Sequence, residues 1–178
     1  MTRIIAGTAG GRRLVAPSGT TTRPTADRAR EGLFSSLQSL IDLDGARVLD
    51  LFAGTGAIGL EAVSRGASSA TLVDDDPRAL AAIRSNVEAL GLAASVVDAD
   101  VIRFLSGQPE TYDVVVLDPP YGLDVDPVLR ALLPWLADGA VVVVERRTRG
   151  PEPVVPEGLH RERSRRYGEA TLWYFSRL

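Results

Sequence analysis

Asp118-Pro119-Pro120-Tyr121 brings together the groups needed to hold a flat ligand that carries an amine. The Asp118 carboxylate can accept one N–H, a carbonyl of the proline pair can accept the second, and the Tyr121 ring can stack on the plane. The apolar run Val114-Val115-Val116-Leu117 just before reads as a buried parallel strand. Two consecutive prolines cannot continue it: they lack N–H donors, their φ is fixed, and each pushes its predecessor toward extended geometry. The chain therefore leaves the sheet as a stiff turn, with an acid at its start and an aromatic at its end. In an open α/β sheet, ligands bind at the carboxyl ends of strands. The same four residues would also serve as a plain strand-ending turn with a half-buried tyrosine.

A second constellation, Gly54-Thr55-Gly56-Ala57-Ile58-Gly59, lies between a strand pattern and a helix pattern. Gly54 and Gly56 let the backbone approach a ligand, and Gly59 permits close helix–strand packing. Asp74 ends the next strand, twenty residues after Gly54, where a carboxylate can accept bonds from ribose hydroxyls. The pattern indicates a nucleoside cofactor. Its neighbourhood is acidic: Asp50, Asp74, Asp75, Asp76, Asp98, Asp100 and Asp118 all fall at or near strand ends. Such a rim disfavours the pyrophosphate of a dinucleotide and suits a cation. S-adenosylmethionine, with its sulfonium and ammonium, fits that field better than NAD does. An NAD-dependent oxidoreductase would also leave the Asp-Pro-Pro-Tyr turn unexplained. Some of these acids, Asp75 especially, read equally as solvated surface residues.

These residues need an alternating scaffold. Strand patterns occur at 47–52, 70–73, 96–97, 113–117 and 140–145. Helix patterns occur at 57–65, 77–90, 101–105 and about 127–137, with Pro77 at a favoured first-turn position and Gly91 as a C-cap. Repeated βα units require a parallel sheet with helices on both faces. The C-terminus changes to an antiparallel hairpin, 159–167 and 171–175 around Gly168-Glu169. The N-terminus suggests another hairpin, 3–6 with 12–15, followed by a helix over 25–40. The expected architecture is α/β and Rossmann-like: one domain over 25–178, preceded by a basic hairpin extension over 1–24. Trp135 and Trp173 are expected in the core.

Composition narrows the chemistry. The chain has 178 residues and no cysteine, which excludes disulfides, thiolate nucleophiles and cysteine-ligated metals. Its one histidine, His160, lies in an arginine-rich stretch, so histidine-based triads and metal clusters are excluded as well. No segment reads as a signal peptide or membrane span, and a cytoplasmic, metal-free monomer is expected. The net charge of −3 hides an asymmetry: residues 1–31 sum to +4, 32–144 to −10 and 145–178 to +3. Every basic residue is arginine, whose planar fork suits phosphates. Basic ends around an acidic middle suggest a polyanion held by the ends and a different ligand in the centre, although ordinary solvated charge gives the same count.

Two motifs then meet a known family. Val48-Leu49-Asp50-Leu51-Phe52-Ala53-Gly54-Thr55-Gly56 resembles the first motif of class I S-adenosylmethionine-dependent methyltransferases. Asp118-Pro119-Pro120-Tyr121 resembles the motif of those that methylate exocyclic amines. Together with Arg3-Ile4-Ile5-Ala6-Gly7, Gly11-Arg12-Arg13-Leu14, Arg23-Pro24-Thr25-Ala26-Asp27-Arg28-Ala29-Arg30-Glu31 and Arg166-Tyr167-Gly168, they resemble the RsmD family of 16S ribosomal RNA guanine-N2 methyltransferases. The likeness covers nearly the whole chain; Asp74 stands where that family more often has Glu.

The resemblance implies S-adenosylmethionine as cofactor and small-subunit ribosomal RNA, or the subunit itself, as partner. It implies that Asp50, Phe52, Gly54, Thr55 and Gly56 border the methionine part of the cofactor, that Asp74 holds the ribose, and that Asp100 or Val101 lies near the adenine. Asp118 and Pro119 would hold the target amine, Pro120 would stiffen the turn, and Tyr121 would stack on the base. Arg12, Arg13, Arg23, Arg28 and Arg30 would contact RNA or order the N-terminal segment. A DNA adenine-N6 methyltransferase shares the Asp-Pro-Pro-Tyr logic, but the chain offers little room for a separate sequence-reading domain.

Overall fold

The computed structural model describes residues 2–19 and 24–178. Among them, seven strands form one sheet: β1 (Arg47–Leu51), β2 (Ser69–Asp74), β3 (Ala94–Asp98), β4 (Tyr112–Leu117), β5 (Leu136–Arg147), β6 (Leu159–Tyr167) and β7 (Ala170–Arg177). The spatial order is β3-β2-β1-β4-β5-β7-β6. Strands β1 to β5 are mutually parallel, and β7 runs antiparallel between β5 and β6. The order reverses between β1 and β4. That crevice is the switch point of the sheet, where loops leaving neighbouring strand ends diverge to opposite faces and leave room for a ligand.

The helices are α1 (Pro24–Leu40), α2 (Ala57–Ser64), α3 (Pro77–Leu90), α4 (Val101–Leu105) and α5 (Asp126–Leu132). No helix among the described residues is long and apolar enough to cross a membrane. The sheet is covered on both faces, which is why its central strands read as unbroken apolar runs. On one face Val48, Leu72, Val116, Val143 and Tyr174 pack with Leu33, Phe34, Leu37 and Leu60. On the other, Leu49, Leu117, Val142 and Val144 pack with Leu105, Leu129, Leu132 and Trp135. Burying one such aliphatic side chain stabilises the fold by about 1.5–3 kcal/mol.

Three boundaries depart from the sequence reading. The helix expected over 127–137 ends at Leu132, because Pro134 has no N–H to continue it; a 3-10 turn (Leu133–Trp135) follows. Strand β5 then runs twelve residues, so Arg146 and Arg147 extend the strand end beyond Glu145. The N-terminal hairpin reduces to one isolated bridge, Arg3 to Arg13, with backbone bonds Ile4 N–H to the Arg12 carbonyl and Leu14 N–H to the Thr2 carbonyl, both 2.9 Å. Its Ile4, Ala9 and Leu14 are buried in the same core cluster as α1 and α2. Trp135 is buried as expected, whereas Trp173 is only half-buried, with the Arg161 guanidinium over its ring.

Candidate active site

The turn after β1 is built under strain. Phe52 has φ 61°, a left-handed conformation unusual for a side chain this large, and Gly54 and Gly56 follow at 63° and 79°. Holding Phe52 there costs of order 1–3 kcal/mol. The Asp74 carboxylate fixes the turn: Oδ2 accepts the Gly54 N–H at 2.9 Å and Oδ1 accepts the Asp76 N–H at 3.0 Å. A Cβ on Gly59 would lie 2.2 Å from Leu72 Cδ2, so only glycine lets α2 seat this closely on the sheet. Beneath the turn, Asp50 is 1% exposed and accepts the Gly59 N–H at 3.0 Å. Burial pushes the Asp50 carboxyl well above its usual range, and Asp118 and Asp74 add to the rise. Asp50 therefore lies below the turn, anchoring the start of α2.

Asp118 follows β4 and donates its backbone N–H to the Leu51 carbonyl at 3.5 Å, which sets it beside the glycine turn across the switch point. Asp118 is exposed, yet the surrounding protein desolvates its carboxylate and pushes it up to about 6. No described residue gives that carboxylate a hydrogen bond or an ion pair. Pro119 is buried and Pro120 exposed. Tyr121 is 71% exposed, with the Arg147 guanidinium 3.6 Å from its ring centroid.

Other candidates divide. Asp100 caps α4, accepting the Arg103 N–H at 3.0 Å, and Val101 is buried behind it. Thr55 accepts the Ala57 N–H at 3.2 Å, and its carbonyl accepts a bond from Asn86 at 2.9 Å. Arg28 is exposed on the first half of α1. Arg23 lies outside the described residues.

Of the arginines expected to contact RNA or to order the N-terminal segment, two bond backbone carbonyls. Arg30 is 7% exposed; its guanidinium donates to the Arg3 carbonyl and lies 3.6 Å from Asp27, so its place is in ordering the N-terminal segment. Arg12 donates to the Ala89 carbonyl at 2.8 Å, near the C-terminus of α3, a helix that leads away from the strand carboxyl ends. Arg13 is exposed on the same N-terminal bridge.

The sequence reading missed three residues. Glu145 ends the parallel part of β5 next to Asp118, and burial followed by repulsion from Asp118 pushes it up to about 7. Arg147 covers Tyr121. Asn86, buried on α3, donates to the carbonyls of Thr55 and Val15 (both 2.9 Å) and accepts the Val15 N–H at 2.7 Å, joining the N-terminal segment to the glycine turn. Glu145 carried a signal, its position at a strand end in an α/β sheet. Asn86 carried none, because its partners are distant in sequence.

A strand order of 3-2-1-4-5-7-6 with the glycine turn after β1 defines the Rossmann-like class I methyltransferase fold. The putative methyltransferase yhhF from Escherichia coli superposes with a TM-score of 0.88 at 34% identity, over 98% of this chain and 97% of that one. A Thermus thermophilus 16S rRNA N2 G1207 methyltransferase, solved with AdoMet and guanosine, shares the fold at a TM-score of 0.67 and 21% identity, over 90% of this chain and 45% of that one. In sequence, the ribosomal RNA small subunit methyltransferase D of Escherichia coli (strain K12) is 40% identical over 90% of this chain and 83% of its own length. The family model described as Conserved hypothetical protein 95 matches residues 2–176, and the chain belongs to that family, the RsmD family.

Proposed function

We propose that this chain transfers a methyl group from S-adenosylmethionine to the exocyclic N2 amine of a guanine in small-subunit ribosomal RNA. The observation that carries the reading is the Asp118 carboxylate, without a partner among the described residues and held across the switch point from a strained glycine turn. The 40% identical relative named for small-subunit ribosomal RNA methylation supports the substrate class. The residues present suit the cofactor. No heavy atom lies within 4 Å of a Cβ placed on Gly54, so space beside the turn is open. Asp74 and Asp118 supply negative charge around it, where a sulfonium and an ammonium are favoured.

Bound there, S-adenosylmethionine supplies a methyl carbon already activated by the sulfonium. The protein's work is alignment and electrostatics. Guanine N2 is a poor nucleophile because its lone pair is delocalised into the ring. Asp118 and the Pro119 carbonyl accept its two N–H bonds and favour a pyramidal nitrogen whose lone pair is free to attack. Attack by N2 would form the N–C bond as the sulfur kept the C–S electron pair and became a neutral thioether, and the proton then lost from N2 would pass to water. Pro119 and Pro120 hold the carbonyl rigid, and Tyr121 stacks on the base. Bringing the reactants into line is chiefly a proximity effect. A paired base is inaccessible, so the target is single-stranded or flipped out.

The test is methyl transfer from labelled cofactor to small-subunit RNA, free and assembled, followed by nucleoside mass spectrometry. N2-methylguanosine supports the reading; N6-methyladenine in DNA with unmodified RNA rejects it.

A further inference from the structure

Glu145 has no task in the scheme above, yet it stands at the centre of the site. Leu117 pairs with Val144 across neighbouring parallel strands, so the next residue on each lies side by side: Asp118, just past the end of β4, and Glu145, still within β5. Adjacent strands lie about 4.8 Å apart. No described residue offers Glu145 a hydrogen bond or an ion pair. Its partner on the far side is Leu172 of β7, which is apolar. The nearby cations are engaged elsewhere: Arg146 donates to the Leu123 carbonyl at 2.9 Å, and Arg147 stacks on Tyr121. Two adjacent ionised acids without a cation repel, so the pair either holds a proton or binds a ligand that supplies donors to both.

Guanine presents such donors. Its Watson–Crick edge carries N1–H next to the N2 amine, whereas adenine offers an acceptor at N1. With Asp118 and the Pro119 carbonyl engaged by the amine, the neighbouring strand end faces the next atom along that edge. We infer that Glu145 accepts the N1–H of the target guanine, so that the ends of β4 and β5 together read two donor groups of one base. This rests on the guanine-N2 reading proposed above and assigns the residue that selects guanine within it.

The experiment uses the full-length protein and small-subunit RNA carrying guanine or 2-aminopurine at the nucleotide the enzyme methylates. 2-Aminopurine keeps the amine but has no proton on N1. Wild type should prefer guanine in kcat/KM by about 10- to 100-fold, the discrimination expected of one hydrogen bond to a charged group. Glu145→Gln, whose amide can donate as well as accept, should reduce that preference at least tenfold while S-adenosylhomocysteine affinity stays within about twofold. A preference in Glu145→Gln equal to that of wild type overturns the inference. So does loss of cofactor-product binding or of the near-ultraviolet circular dichroism spectrum in Glu145→Gln, which would make Glu145 structural. Wild type that leaves guanine unmethylated rejects the parent reading instead, and this inference with it.

Discussion

Asp118 and Glu145 together decide how the site responds to mutation and to pH. Asp118→Ala removes one preorganised acceptor and should lower kcat by roughly 10²–10³. Calorimetry with S-adenosylhomocysteine should show little change in affinity; equal loss of both would place Asp118 in cofactor binding. Both acids accept N–H bonds most strongly when ionised, and burial pushes them up to about 6 and about 7. Plotted against pH, kcat/KM should therefore rise through that window and level off above it; a profile flat from pH 5 to 8 would contradict the acceptor role. The stability consequence has the opposite sign. Both folded-state values lie above the unfolded ones, so the contribution to stability is full below about pH 4 and is lost as pH rises through 6 to 7. Asp118→Asn should accordingly raise Tm at pH 8 and leave it unchanged at pH 4, as thermal scans at the two values would record. Asp118 was legible in the sequence because strand, prolines and acid are contiguous. Glu145 was legible only as an acid near a strand end; its place beside Asp118 arises from the register between β4 and β5, which no local pattern states.

At the scale of elements, the N-terminal segment is held by buried polar groups. Glu61, fully buried on α2, accepts the backbone N–H groups of Ile5 (2.8 Å) and Ala6 (3.1 Å) and pairs with Arg65 at 2.9 Å. Ser64 accepts the Ala9 N–H at 2.9 Å. Removing the Glu61 carboxylate leaves two backbone donors unpaired and a mostly buried arginine without its counter-charge, with Gln38 still accepting one of its bonds, so Glu61→Ala should cost about 3–5 kcal/mol in urea unfolding. A loss under about 1 kcal/mol would show that the clamp is replaced by water. Asn86→Ala should release Val15 and the Thr55 carbonyl together and speed hydrogen exchange in both places, at a cost of about 1–3 kcal/mol. Unchanged exchange at the glycine turn would mean that the two segments are not coupled. The periodicity of the βα units was readable because the helix and strand signals are local. The clamp was not, since an isolated glutamate or asparagine on a helix reads as surface until its distant partners are known.

For the whole molecule, charge follows the sheet rather than the chain. The sequence expects the N-terminal arginines to contact RNA or to order the N-terminal segment; Arg30 is buried against the Arg3 carbonyl, and Arg12 lies at the C-terminal end of α3, away from the strand carboxyl ends. The antiparallel end of the sheet instead brings Arg147, Arg149 and Arg166 to one rim, tied by the Thr148 N–H to the Glu169 carbonyl at 2.7 Å. A Cβ on Gly32 would overlap the Tyr167 hydroxyl, which puts the exposed Arg28 one turn of α1 from that rim. Arg→Ala changes at 28, 147, 149 and 166 should flatten the salt dependence of RNA binding, by about 0.7–0.9 in log–log slope for each phosphate that is no longer neutralised. Arg12→Ala should leave the slope unchanged; the reverse pattern would return the footprint to the N-terminus. The proposed methylation chemistry as a whole depends on an amine held at Asp118 and a methyl donor held at the glycine turn. Its most direct test is labelled methyl transfer to small-subunit RNA by wild type and Asp118→Ala, with the product nucleoside identified. The expected result is N2-methylguanosine from wild type and a rate about 10²–10³ lower from the variant; label in another nucleoside, or a variant as fast as wild type, would contradict it.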